Sequence, residues 1–395
     1  MLCERGVRVV FVIEESFAGT LEAQGFEEAL MRLKPPPSEP EEPGQFWKDF
    51  IRETAPQFRK PTVEQIETLT VPIWAELVDG ARYVDERLRE LLDELQPDVI
   101  VEDNVVAFPA VVASGRPWVR IVSCNPLELP DPHLPPAYSG YSTADRSGWD
   151  EFRARYRDAT AALQAEFSAF CAERGAPPLP QGQFIHESPH LDLYLYPAEL
   201  DYSRTRPLAP VWHRLDSNVR RAREAWEPPP GDEALVYLSL GSLGSGDVDL
   251  MNRLIGFLAE TPYRYVVSMG PQHEAIRLAD NMTGAEFLPQ PAILDHVDLV
   301  ITHGGNNTVT EALHFGKPMI VLPLFWDQYD NAQRVAERGF GVRLAPYDVD
   351  GATLRGAVDR LLADEAVRRR ASATGDRLRR NPGPLPAAEL IAALA

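Results

Sequence analysis

The sequence predicts an α/β protein of two domains, each carrying a parallel sheet. Three observations lead there. Short runs of Val, Ile and Leu alternate with stretches of helical period, most regularly over 234–322. Two of those runs end in glycine-rich turns, at 241–246 and 303–307. Between the halves lies DSNVRRAREAWEPPPGDE, 216–233, where composition turns to charge and proline before an apolar run starts afresh. The domains therefore read as 1–215 and 234–380, with 216–233 as linker and 381–395 as a C-terminal helix able to pack back on the first domain. At 395 residues each half is long enough for its own core.

The net charge of −20 argues against a chain that grips nucleic acid or anionic membrane through a broad basic face. Any anionic ligand must be held locally, by dipoles and a few side chains. No apolar run approaches the ~20 residues that span a bilayer. The start, MLCERGVRVV, lacks a basic n-region and has too short an apolar run for a signal peptide. Cys3, Cys124 and Cys171 have neither metal nor redox spacing, so free thiols in a reducing cytoplasm are expected.

Taken in order, Glu4-Arg5-Gly6 reads as a helix end capped by glycine, followed by a strand over 7–13 and a helix over 15–24 closed by Gly25. KPPPSEPEEPG, 34–44, reads as an acidic surface loop. Helices are expected over 44–56 and 62–95, with a break or kink at Pro72. A strand over 99–101 ends at Glu102-Asp103-Asn104; a helix over 105–114 and a strand over 117–123 follow. The stretch 124–147 is too long for a plain connector and reads as a lid. A helix over 150–174 and a strand within 186–196 close the first domain. In the second, strands over 234–240, 265–269, 285–288, 297–301 and 319–322 alternate with helices, and 351–380 and 386–395 are helical.

The segment HVDLVITHGGNNTVTEALHFGKPMIVLPLFWDQYDNAQ, 296–333, is the chemical centre. A buried strand runs into His303-Gly304-Gly305, and Asn306, Asn307 and Thr308 are each plausible caps for the following helix. Such a turn presents free N–H groups and the positive end of a helix dipole, an anion site. With the turn at 241–246 it can cradle a diphosphate. Neither turn is a Walker loop, because no Gly-Lys-Ser/Thr follows, and no G-x-G-x-x-G dinucleotide turn occurs. His303 can donate to a phosphate oxygen. Glu311, one helical turn beyond Thr308, can accept from a ribose diol. Asp327 and Gln328 can read sugar hydroxyls.

With these residues in place, 285–335 closely resembles the donor signature of family 1 glycosyltransferases, the inverting UDP-sugar enzymes that include the plant natural-product and bacterial macrolide glucosyltransferases. The resemblance implies the GT-B fold, two Rossmann-like domains facing across a cleft. It implies that Phe287 stacks on the base and Gln290 belongs to that segment. It implies that Ser242, His303, Gly305, Asn307 and Thr308 approach the diphosphate. By the same resemblance Glu311 binds the ribose, Asp327 and Gln328 bind the sugar, and Asn306 offers its backbone N–H toward the sugar. No metal and no cofactor is expected, so the strings Asp247-Val248-Asp249 and Asp348-Val349-Asp350 read as surface loops. The partners implied are a UDP-sugar, UDP-glucose in the first instance, and a small lipophilic acceptor, with the protein a cytoplasmic monomer or weak dimer. Phe46, Trp47, Phe50, Phe58 and Trp74 read either as core or as walls of the acceptor pocket.

In that family a histidine after the first strand deprotonates the acceptor, and an aspartate orients it. Asp103 matches the aspartate. The resemblance runs only from the end of the helix that follows the histidine, so the first strand, its turn and the histidine are not in this sequence. Three readings follow: an N-terminally truncated sequence, a protein that holds donor without efficient transfer, or a different base such as Asp103 or His133. A missing central strand would expose a sheet edge in the first domain. The rival functions are a non-catalytic nucleotide-sugar-binding protein and a sugar-nucleotide epimerase of the same fold.

Overall fold

The computed structural model describes residues 1–36, 53–219 and 225–395. Phe46, Trp47 and Phe50, and most of the acidic loop, lie outside them. Two parallel sheets form in the first half. In one, β1 (Val10–Glu14) pairs with β2 (Glu27–Met31). In the other, β3 (Ile100–Asp103), β4 (Trp118–Val122), β5 (Leu191–Leu195) and β6 (Trp212–Leu215) lie in that order. No ladder joins the two among the described residues, and β3 is paired along one side only, with Val101 41% exposed.

The main helices of this half are α1 (Val71–Leu95), α2 (Pro109–Ala113) and α3 (Trp149–Glu173). In α1, Trp74, Val78, Ala81, Val84, Leu88 and Leu92 recur at three- and four-residue spacing and are buried. Pro72 does not break the helical path. One π turn, Ile66–Thr70, precedes it, at the place where the missing Pro72 N–H would have closed a bond. Two further expectations fail. Residues 15–24 form two short 3-10 turns instead of one helix, because Gly19 takes φ +81° and the Glu28 carboxylate accepts the N–H groups of Gly19, Leu21 and Glu22. The helix expected over 105–114 starts only at Pro109, since the Ala107 N–H is bonded to the Phe184 carbonyl.

The second half is one six-stranded parallel sheet made by β7 (Leu235–Ser239), β8 (Arg264–Ser268), β9 (Met282–Ala285), β10 (Leu299–Thr302), β11 (Met319–Val321) and β12 (Gly341–Arg343). Its helices are α4 (Val248–Leu258), α5 (Gln290–His296), α6 (Asn306–His314), α7 (Gln328–Glu337), α8 (Gly351–Ala363) and α9 (Glu365–Arg380). Both faces are covered, as the apolar runs require. Val236, Leu238 and Leu240 pack with α4 and α8; Leu235 and Tyr237 pack with α5, α6 and α7. The strand expected over 285–288 ends at Ala285. β9 is an edge strand, and the chain leaves it there, which puts Phe287 in solvent at 69% exposure. The last helix, α10 (Pro384–Ala392), lies on β5 and β6 through Ala387, Leu390 and Ile391.

Candidate active site

Across the second sheet the strands run β9-β8-β7-β10-β11-β12. Winding reverses between β7 and β10, and such a switch point opens a crevice at the carboxyl ends of the strands. Both glycine-rich turns lie there. After β7 the chain makes one helical turn, Gly241–Gly244, with Ser242 exposed. After β10 it makes His303-Gly304-Gly305 and enters α6.

The His303 ring wedges between the turns. A Cβ on Gly241 would lie 2.7 Å from its Cε1, and one on Gly305 2.6 Å from its Nε2. Gly241 also takes φ +72°, so glycine is needed there twice over. Gly241→Ala is expected to lower the melting temperature by several degrees, from about 1–3 kcal/mol of strain; an unchanged melting curve would show that the ring is not so confined. Burial pushes the His303 pKa down to about 4, against a hydrogen bond to the Ser239 backbone, so the ring is neutral at neutral pH.

The cap of α6 is Gly305, with no side-chain hydrogen bond, not Asn306, Asn307 or Thr308. Those three occupy the first turn, ahead of the first bond from the Val309 N–H to the Gly305 carbonyl. Their N–H groups and the dipole thus face the crevice. Asn307 is exposed, while Asn306 and Thr308 are buried. Further along the crevice, Gln290 Nε2 donates to Glu311 Oε2 at 2.5 Å and lies 3.4 Å from Thr308 Oγ1. Tyr237 O–H donates to Gln290 Oε1 at 3.3 Å. Phe287 stands exposed beyond them. At the other end, Asp327 and Gln328 are buried. Asp327 Oδ2 accepts the Asn125 N–H at 3.0 Å, and burial pushes its pKa up to about 7. Gln328 Oε1 accepts the N–H groups of Leu324 and Phe325.

Asp103 ends β3 on the facing wall. Its Oδ1 accepts the Ser123 hydroxyl at 2.6 Å; the residue is exposed to the cleft, and the desolvation imposed by the surrounding walls raises its pKa. Ser123 links it to the donor turn, since Asn306 Nδ2 donates to the Ser123 carbonyl at 2.8 Å and to the Leu195 carbonyl at 2.9 Å. His133 is exposed, its own N–H is bonded to Asp131, and no hydrogen bond joins it to Asp103. Asp247 and Asp350 cap α4 and α8. Among the described residues no group of three or more His, Cys, Asp or Glu could hold a metal, and no helix is long and apolar enough to cross a membrane.

Residues 253–394 match the family described as Erythromycin biosynthesis protein CIII-like, C-terminal domain. The crystal structure of the glycotransferase of kitacinnamycin shares the fold at a TM-score of 0.72 and 23% identity, covering 99% of this chain and 92% of that one. Demethyllactenocin mycarosyltransferase of Streptomyces fradiae is 24% identical over 340 residues, 83% of this chain and 70% of the relative. Oleandomycin glycosyltransferase of Streptomyces antibioticus is 27% identical over 409 residues, 99% of this chain and 85% of the relative. The chain has the GT-B fold, and over most of its length it is similar to glycosyltransferases of the macrolide type.

The crevice is also held by residues that sequence reasoning passed over. Asn331 Nδ2 donates to the Gly304 carbonyl at 2.9 Å, and its Oδ1 accepts from Asn125 Nδ2 at 2.8 Å and from the Tyr196 hydroxyl at 3.2 Å. Asp330 accepts the Tyr138 N–H at 2.6 Å and the Gly140 N–H at 2.8 Å. One face of α7 therefore clasps the two domains. The signal was present as polar residues at 327, 330, 331 and 334, the i, i+3, i+4, i+7 stripe of one helix face. The same contacts correct the reading of 124–147 as a lid: Asn125, Pro126, Leu127, Leu134, Tyr138 and Ser139 are buried, and the segment is pinned between the domains.

Proposed function

We propose that this glycosyltransferase moves a hexose, glucose in the first instance, from a UDP-sugar to a hydroxyl of a small lipophilic acceptor with inversion. The observation that carries the reading is the linear order of groups in the crevice: an exposed aromatic ring, a buried carboxylate, a helix N-terminus with a neutral histidine, and a second buried carboxylate. Phe287 stacks on the base. Glu311, oriented by Gln290, accepts from the ribose. Ser242, His303 and the N–H groups of Gly305 to Thr308 hold the diphosphate. Asp327, Gln328 and the Asn306 N–H meet the sugar. A fixed dipole and a histidine stabilise charge where the nucleoside diphosphate leaves, so no metal is required of the protein. The base could also be thymine, which presents the same face to Phe287; the spinosyn rhamnosyltransferase, complexed with thymidine diphosphate, shares the fold at a TM-score of 0.63.

For the acceptor, a cavity of about 410 Å³ in the first domain is lined by Trp74, Tyr138, Phe152, Tyr156 and Phe184. Of the aromatics weighed from sequence, Trp74 sits in this wall, whereas Phe58 is core and stacks on Phe325 at 5.1 Å. Trp326, the neighbour of Asp327, lies 5.2 Å from the Trp74 ring and 4.4 Å from Tyr138, which brings the cavity beside the sugar end of the crevice. An acceptor hydroxyl would meet the sugar near Asp103, which orients it or takes its proton. The test is incubation with UDP-glucose and a panel of phenolic and macrolide alcohols, read as glucoside by mass spectrometry. Glucoside formation supports transfer. Tight UDP binding with no glucoside favours a nucleotide-sugar-binding protein, and no UDP binding contradicts both.

A further inference from the structure

The floor of the cavity carries a group that neither the donor site nor Asp103 uses. Glu102, Arg120 and Asp192 stand at paired positions on β3, β4 and β5, and Trp212 on β6 pairs with Asp192. They form a stripe across one face of the sheet. All three charged residues are buried, Arg120 to 2% exposure. Arg120 lines the cavity, yet its guanidinium makes no ion pair and no hydrogen bond among the described residues, and its Nε is buried without a partner. The Trp212 ring lies 5.6 Å from Cζ, and the positive charge acts across space on the carboxyls of Glu102, Asp192 and Glu128. Glu102 Oε2 and Asp192 Oδ2 are likewise buried without partners.

The other charged groups of the cavity are already engaged. Arg153 donates to the Leu134 carbonyl. Glu128 accepts the Tyr138 hydroxyl at 3.0 Å, and Asp131 accepts the His133 N–H. Burial pushes Glu102 up to about 8 and Asp192 up to about 7, and raises Glu128 as well, each against the attraction of Arg120, so the sheet carboxyls are mostly protonated on the acid side of neutrality and none forms an ion pair with the guanidinium. A guanidinium keeps its charge under all ordinary conditions and presents a planar fork matched to a carboxylate. A buried, unpaired fork facing an aromatic-walled cavity is complementary to an aromatic acid.

We propose that Arg120 anchors a carboxylate on the acceptor, so that the glycosyltransferase selects flat aromatic acceptors carrying an acid group over their neutral esters. This rests on the reading of the cavity as the acceptor site. The ring lies among Trp74, Tyr138, Tyr156 and Phe184, and the carboxylate accepts two N–H bonds from Arg120. Arg120 is thus a specificity residue and touches no donor group.

The probes are 3-hydroxy-2-naphthoate and its methyl ester, titrated at pH 6.5 against the full chain in the presence of UDP and followed by tryptophan quenching. The acid is expected to bind the wild type about 10–100-fold more tightly than the ester, the range of a charged hydrogen-bonded pair. Arg120→Met, which keeps bulk against Trp212, is expected to erase that difference by weakening the acid alone. Equal binding of acid and ester by the wild type, no binding of the acid, or an acid preference that survives in Arg120→Met would each overturn the proposal. The wild-type comparison needs no variant, so a misfolded Arg120→Met does not rescue it. UDP titrated alone separates the two readings. UDP binding with equal acid and ester affinity removes the anchor and leaves the transferase; an acid preference without UDP binding does the reverse.

Discussion

Alanine at position 303 is expected to weaken UDP-glucose binding about 10–100-fold and to lower turnover at least as much, since a hydrogen bond to a charged group contributes about 1.5–3 kcal/mol. The ring is the only side chain that packs against both glycine turns in the contacts described for Gly241 and Gly305. Its loss removes a donor and also the wedge that spaces the turns. Isothermal titration measures it. The pH dependence has a definite sign. Unfolded, an imidazole takes a proton below about 6.5; folded, His303 holds off until about 4. Neutral His303 therefore contributes stability above 6.5 that is lost as pH falls toward 4. A bound diphosphate favours the charged ring and raises its pKa. Affinity for UDP-glucose should then rise as pH falls from 8 to 5, by at most about tenfold per unit. UDP-glucose has no phosphate ionisation in that range, so the slope belongs to the protein. His303→Gln should flatten it; an equal slope in that variant would remove His303 from the diphosphate site.

Asp330→Ala should be the most damaging single change outside the donor turns. One carboxylate holds the backbone of Tyr138 and Gly140, both at positive φ, from across the domain boundary. Removing it leaves two buried N–H groups without partners, at about 1–3 kcal/mol each. Tyr138 also lines the proposed acceptor cavity, so freeing the segment should raise the acceptor KM more than it alters UDP affinity. A combined loss of about 2–6 kcal/mol in chemical denaturation, with UDP binding kept, is the expected result. Equal damage to UDP binding would mean that the clasp shapes the donor site instead.

The donor half was legible because its information is local. Apolar runs, glycine turns and helix starts lie in sequence order over 234–322, and the sheet that forms puts both turns at one switch point. What stayed hidden depends on contacts made at a distance. Asn306 looked like a cap, yet its side chain spans the cleft to Ser123 and Leu195. Asp330 and Asn331 looked like ordinary helix polars; their partners, Gly140 and Asn125, lie about two hundred positions away (190 and 206 residues). The strands Glu27–Met31, Trp212–Leu215 and Gly341–Arg343 were missed for a related reason. They are short and only partly apolar, and pairing with a neighbouring strand is what makes them strands. Arg120 gave no sign at all in the sequence, because a lone arginine in a strand shows its lack of a partner only once the sheet is assembled.

The central claim is that the crevice between β7 and β10 holds a nucleoside diphosphate by its base, ribose and phosphates together. The most direct measurement is calorimetric titration of uridine, UMP and UDP against the wild type and Glu311→Ala. The account predicts one site per chain, affinity rising from uridine to UMP to UDP as phosphates reach His303 and α6, and weaker binding of all three to Glu311→Ala. Equal affinity for uridine and UDP, or binding indifferent to Glu311, would contradict it.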